Sequence, residues 1–135
     1  FNYMFKAGLE RIDPKRYIFY NHDEQGKIEA LKVLGRMGMR TKEFVDKDMN
    51  VPGFLTQLKA IKRWGKDPED DLEYITQPTL IVNGDKDMQV PTENSYDMHK
   101  KIAGSKLKIY SKAGHGSIFQ YAEEFSKELI AFLED

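Results

Sequence analysis

The chain has 135 residues, of which 40% are hydrophobic and 32% charged, enough to bury one core in a soluble globular domain. Its formal net charge of −1 leaves no electrostatic footprint for nucleic acid or an anionic membrane, and no run approaches the ~20 apolar residues of a membrane span. The absence of cysteine excludes disulfides and thiolate metal sites and fits a cytoplasmic protein.

The opening residues, FNYMFKAGLERI, have neither an initiator methionine nor the charged-then-apolar order of a signal peptide, so the chain is expected to be cut from something longer. Phe1, Met4, Phe5, Gly8 and Ile12 recur at helical spacing, which predicts a short amphipathic helix over residues 1–11. Asp13-Pro14 signals a turn. Tyr17–Tyr20 is aromatic and suits either a strand or an apolar helix contact. Asn21 or Asp23 is placed to cap a helix running to about Gly35, with Ile28, Leu31 and Leu34 on its inner face. Thr41–Asn50 reads as a charged loop. A second helix is expected from Val51-Pro52-Gly53 to about Gly65, carrying Phe54, Leu58 and Ile61 on one face, and Lys66–Asp71 as a polar connector. The composition shifts at Tyr74, which divides the chain into a helical region, 1–73, and a C-terminal unit, 74–135.

Within that unit, Thr79-Leu80-Ile81-Val82 is a short β-favouring run between turn residues, suited to a strand buried on both faces. Gly84 ends it in a loop carrying Asp85 and Asp87. Thr92 is a plausible cap for the next helix, with Tyr96 and Ile102 facing inward and Gly104 as its stop. Lys106–Tyr110 is the second strand and leads into Ala113-Gly114-His115-Gly116. The closing helix, from about Ala122 to Leu133, shows Phe125, Leu129 and Phe132 at helical spacing. Strand, helix, strand, helix implies a parallel crossover. In open α/β sheets catalytic groups sit beyond the carboxyl ends of strands, so an acid and an imidazole are expected at one sheet edge.

The pattern G-D-x-D-x-x-V-P, then a helix, a strand and G-H-G, resembles the C-terminal half of the α/β-hydrolase fold. The run from Ser111 to Tyr121 is similar to the histidine loop of its haloperoxidase- and esterase-like members, and the helices ahead of Tyr74 look like the cap such enzymes insert. The resemblance implies an α/β fold and a Ser…Asp…His triad whose serine lies in G-x-S-x-G. No serine here (Ser95, Ser105, Ser111, Ser117, Ser126) has glycine two residues away on both sides. It further implies Asp87 as the acid that orients His115, and His115 as general base and then general acid towards a serine upstream. The substrate would be a small ester-like acyl compound and no cofactor is called for.

Other readings stand beside these. Asp85 is the rival acid, a loop brace, or with Asp87 a metal ligand, but the apolar Met88-Gln89-Val90-Pro91 does not suit a calcium loop. His22 and His99 lack a loop context, and His99 in a charged helix reads as solvated. Gly114-His115-Gly116 is followed by Phe119 where a dinucleotide fingerprint needs glycine. The aromatics and methionines of the helical region (Phe1, Tyr3, Met4, Phe5, Phe19, Met37, Met39, Phe54, Trp64) suit either an acyl pocket or plain packing. Lys59, Lys62, Arg63 and Lys66 form a wet helix face. The alternative function is a non-enzymatic α/β module for binding or assembly. Either way, the open apolar edge of Thr79–Asn83 is expected to promote self-association.

Overall fold

The computed structural model describes residues 2–39, 41–44, 50–68 and 70–135. Three helices come first: α1 (Asn2–Glu10), α2 (Lys15–Phe19) and α3 (Glu24–Met37). Helix α4 (Val51–Trp64) follows, then strand β1 (Leu80–Gly84), helix α5 (Thr92–Lys101), strand β2 (Lys106–Tyr110) and the helices α6 (Ser117–Gln120) and α7 (Ala122–Glu134). The loop expected over Thr41–Asn50 contains a 3-10 turn at Lys42–Phe44. Its residues 45–49, like Phe1, Arg40 and Glu69, lie outside the described residues.

Tyr17–Phe19 is helical and only Tyr20, which follows the helix, is extended, because Pro14 presets the first turn and Tyr17 packs against α1, its hydroxyl bonded to Glu10. Asp23, not Asn21, caps α3, its carboxylate accepting from Gly26 N at 2.7 Å. The inner face of α3 differs from the periodicity. Ile28 and Leu31 are 51% and 64% exposed, whereas Leu34 packs as expected beside buried Ala30 and Val33 against Tyr20, and Gly26 is buried beside Asn21. Close approach decides this: a Cβ at residue 26 would sit 2.2 Å from the Asn21 carbonyl oxygen. Only a small residue fits there, and Ile28 and Leu31 turn outward. Asn50 caps α4 through Gly53 N at 2.7 Å, yet α4 has no buried residue, so Phe54 and Ile61 are not covered among the described residues.

β1 and β2 pair in parallel with Leu80 opposite Lys106 and Gly84 opposite Tyr110. α5 makes the crossover between them. Ile81, Asn83 and Gly84 are buried but Leu80 and Val82 only half so; one face of β1 is sealed and the other is partly covered. Thr92 does not cap α5. Its hydroxyl donates instead to the Gly84 carbonyl at 2.8 Å, and Pro91 holds the cap position without a side-chain bond. Ser95 rather than Tyr96 faces the sheet, and Ile102 is 1% exposed.

α7 is held to β2 by charge as well as by half-buried Phe125, Leu129 and Phe132. Lys108 Nζ donates to Glu124 Oε1 at 2.7 Å and Glu128 Oε1 at 2.5 Å, and the Tyr110 hydroxyl to Glu128 Oε2 at 2.9 Å. The bonded Lys108 ammonium, with Tyr110 adding to it, holds the Glu128 carboxyl below its ordinary range. A depressed carboxylate pKa contributes stability that is complete above the unfolded value, near 4.5, and fades as the pH falls through the folded one. Glu128→Gln should therefore lower the urea midpoint at pH 7 and flatten the loss of stability below about pH 4.5. Parallel pH–stability curves for the two proteins would refute the coupling.

Candidate active site

The register of the sheet continues into the loops that follow it. Beyond Gly84 and Tyr110, Asp85 N–H donates to the Tyr110 carbonyl at 3.0 Å and Lys86 N–H to the Ala113 carbonyl at 2.9 Å. Such contact requires bare backbone at residue 84, where a Cβ would lie 2.2 Å from the Ala113 oxygen. The acid loop and the histidine loop thus leave the sheet side by side.

At their tips His115 Nδ1 donates to Asp87 Oδ2 at 2.9 Å. The Asp87 side chain is 2% exposed and the imidazole 35%. Asp87 Oδ1 accepts from the backbone N–H groups of Gln89 and Val90 at 2.8 and 3.0 Å. Both carboxylate oxygens are therefore committed, and the acid cannot rotate away from the ring. Because a carboxylate only accepts, the ring proton belongs on Nδ1, which leaves a lone pair on Nε2. Among the described residues Nε2 has no hydrogen-bond partner.

Asp85 is not part of this pair. Its Oδ2 lies 3.5 Å from the Ser111 hydroxyl, which makes it a brace between the two loops. No group of three metal-ligating side chains occurs among the described residues. His99 Nδ1 is 2.8 Å from Ser105 Oγ, and His22 Nε2 is 3.0 Å from the Tyr17 carbonyl, so both serve local structure. Of the aromatics and methionines, Phe19 lies against the His115 ring at 5.4 Å, while Met39, Phe54 and Trp64 are exposed. A cleft of about 900 Å³, lined in part by Asn21, His22, Lys86, Asp87 and Lys112, opens on the acid side of the pair.

Several supporting residues escaped the sequence reading. Asn83 donates to Ser95 Oγ at 3.1 Å and to the Val90 carbonyl at 3.4 Å, and accepts from Gly84 N at 2.7 Å. It thereby fixes the same Val90 whose N–H holds Asp87. An amide closing an apolar strand, in Leu80-Ile81-Val82-Asn83, was the available signal. On the other loop Gln120 accepts from Gly114 N at 2.8 Å, and Tyr121 stacks on Tyr110 at 4.7 Å while donating to the Ser111 carbonyl at 2.7 Å.

The family model described as TAP-like protein, an α/β-hydrolase model, matches residues 56–135. The chain belongs to the α/β-hydrolase family. An α/β-hydrolase fold protein from Chitinophaga pinensis is 32% identical and superposes with a TM-score of 0.84 over 99% of this chain and 49% of its own. A proline iminopeptidase of Saccharolobus solfataricus is 28% identical over 130 residues, 93% of this chain and 39% of the relative. The 2-hydroxy-6-oxononadienedioate/2-hydroxy-6-oxononatrienedioate hydrolase of Klebsiella pneumoniae is 33% identical over 84 residues, 62% of this chain and 29% of the relative. The chain spans less than half the length of each of these proteins. No helix among the described residues is long and apolar enough to cross a membrane.

The contact between the two loops gives a direct test. Gly84→Ala should force the Ala113–Gly114 backbone away and cost about 1–3 kcal/mol in urea unfolding, the range for an overpacked site. A change within about 0.5 kcal/mol, the scale of ordinary surface substitutions, would mean that the loops have slack.

Proposed function

We propose that this chain supplies the acid and the base of a Ser-His-Asp triad in a longer serine hydrolase acting on an ester or similar acyl compound. The observation that carries the reading is the bond from His115 Nδ1 to an Asp87 carboxylate already fixed by two backbone N–H groups. Such a carboxylate holds the tautomer and stabilises the imidazolium that forms when Nε2 takes a proton. Nε2 would accept the serine proton as the hydroxyl attacks the acyl carbon, then deliver it to the leaving group. The names of the relatives, an iminopeptidase and a hydrolase of oxo-dienedioates, support hydrolysis as the reaction class rather than one substrate.

In this reading residues 1–73 are the cap and 74–135 the C-terminal unit of the core. The serine and the oxyanion donors lie on a portion of the protein outside this sequence, which contains no G-x-S-x-G. Large exposed side chains such as Leu31, Leu55, Ile61 and Trp64 and the partial coverage of the relatives support a longer parent. The 135-residue chain alone should not hydrolyse p-nitrophenyl esters above buffer. In the parent, Asp87→Asn and His115→Ala should each lower kcat by about 10⁴, while Asp85→Asn should change it less than about threefold. Esterase activity of the isolated chain that Ser117→Ala abolishes would overturn the assignment of the nucleophile.

We further propose that the isolated chain self-associates. Among the described residues β1 has a strand partner on one side only, and an apolar edge with open N–H and C=O groups is a template for pairing. Two copies joined edge to edge along Thr79–Asn83 form the simplest closed assembly. Sedimentation at micromolar concentration should show a dimer, and a monomer across that range would remove the proposal.

A further inference from the structure

The histidine loop is gripped from outside the C-terminal unit by the corner between α2 and α3. Gly116 N–H donates to the Phe19 carbonyl at 2.6 Å. The side-chain amide of Asn21 donates to the Lys112 carbonyl. Between these two bonds, Gly114 passes so near that a Cβ there would lie 2.8 Å from the Phe19 oxygen. The Phe19 ring rests against the imidazole itself, 5.4 Å between centroids and tilted by 32°. The loop from Lys112 to Gly116 is thus held at both ends and at one face by Phe19 and Asn21.

Two features show that this grip is stiff. Lys112 has φ of +52°, a left-handed conformation that a non-glycine residue keeps only when its surroundings fix it. The carbonyl that Asn21 holds belongs to that same residue. The corner is itself tied from within by Arg16, which is 7% exposed. Its guanidinium donates to the Asn21 carbonyl at 2.6 Å and the Asp23 carbonyl at 3.3 Å. A buried cation is costly unless its donors are used, and here they fix the residue that fixes the loop.

We propose that the Phe19–Asn21 corner positions His115, with Asn21 as its main grip. The corner sets the direction of Nε2 from the helical side, while Asp87 sets it from the sheet side. This rests on the proton-transfer role given to His115 above. Neither Asn21 nor Phe19 is assigned contact with the reacting atoms; both act through the loop.

Asn21→Leu keeps the size of the side chain and removes the donated bond. In the full-length protein it should lower kcat about 10–100-fold, the scale of a misplaced catalytic group, with KM within about twofold. The Nδ1–H resonance of His115, resolved by proton–nitrogen NMR in the parent, should broaden or vanish at temperatures well below the melting transition of the variant. A purely structural role predicts a lower melting temperature with unaltered kcat per folded molecule, and that result would overturn the proposal. Should Asn21→Leu not fold, Phe19→Leu serves, since it keeps the carbonyl that holds Gly116 and removes the ring from the imidazole. Unchanged kcat and an unchanged His115 resonance in that variant would equally refute it. Failure of the underlying triad reading looks different: His115→Ala would then leave activity intact.

Discussion

The site depends on the parallel register that sets Gly84 beside Tyr110. A slip of one residue would move the acid loop by about 3.3 Å along the sheet and turn every side chain of the strand to the other face. Either change exceeds the tolerance of a hydrogen bond, so the 2.9 Å contact between Asp87 and His115 is a consequence of strand pairing. Gly84 makes the register usable. Without a side chain there, the loops beyond the strands stay in backbone contact through Lys86 and Ala113 and do not splay.

Each member of the pair is then immobilised by its own set of neighbours. On the acid side a backbone turn offers two N–H groups to one carboxylate oxygen, and Asn83 and Thr92 fasten the ends of that turn to β1 and α5. Charge-assisted bonds of this kind are roughly twice as strong as neutral ones. A side chain 2% exposed can thus remain in place although burying a carboxylate is unfavourable. On the base side the work is divided between Gln120 and Tyr121, which follow the loop, and the Phe19–Asn21 corner, which comes from far away in sequence. An imidazole on a long loop would otherwise sample many directions. In the proposed triad, ordering it before the reaction would remove an entropic cost from the chemical step.

The α7 helix serves the same end at one remove. The Lys108–Glu128–Tyr110 network ties it to β2, and Tyr110, 2% exposed, carries the stacked Tyr121 whose hydroxyl holds the start of the histidine loop. An aromatic pair of this kind adds about 1 kcal/mol beyond the area it buries. The helical region is organised differently, with small residues at its closest contact and large apolar side chains facing outward on α3 and α4.

The sequence by itself determined both strands, the crossover between them, the family and the two residues placed at the sheet edge. These are local properties: an apolar run closed by glycine, turn residues at fixed offsets and helical spacing in α7. What it left open depends on who approaches whom. Ile28 and Leu31 follow helical periodicity as well as Ala30 and Val33 do, and only the closeness of the Asn21 carbonyl selects the smaller face. Thr92 has the chemistry of a cap, but the Gly84 carbonyl lies within its reach and takes the hydroxyl. Asn21 suits a helix cap equally well, until folding brings Lys112 to its amide. Spacing along the chain records which bonds a residue is able to make, whereas the choice among them is made by distances between segments that sequence order does not contain.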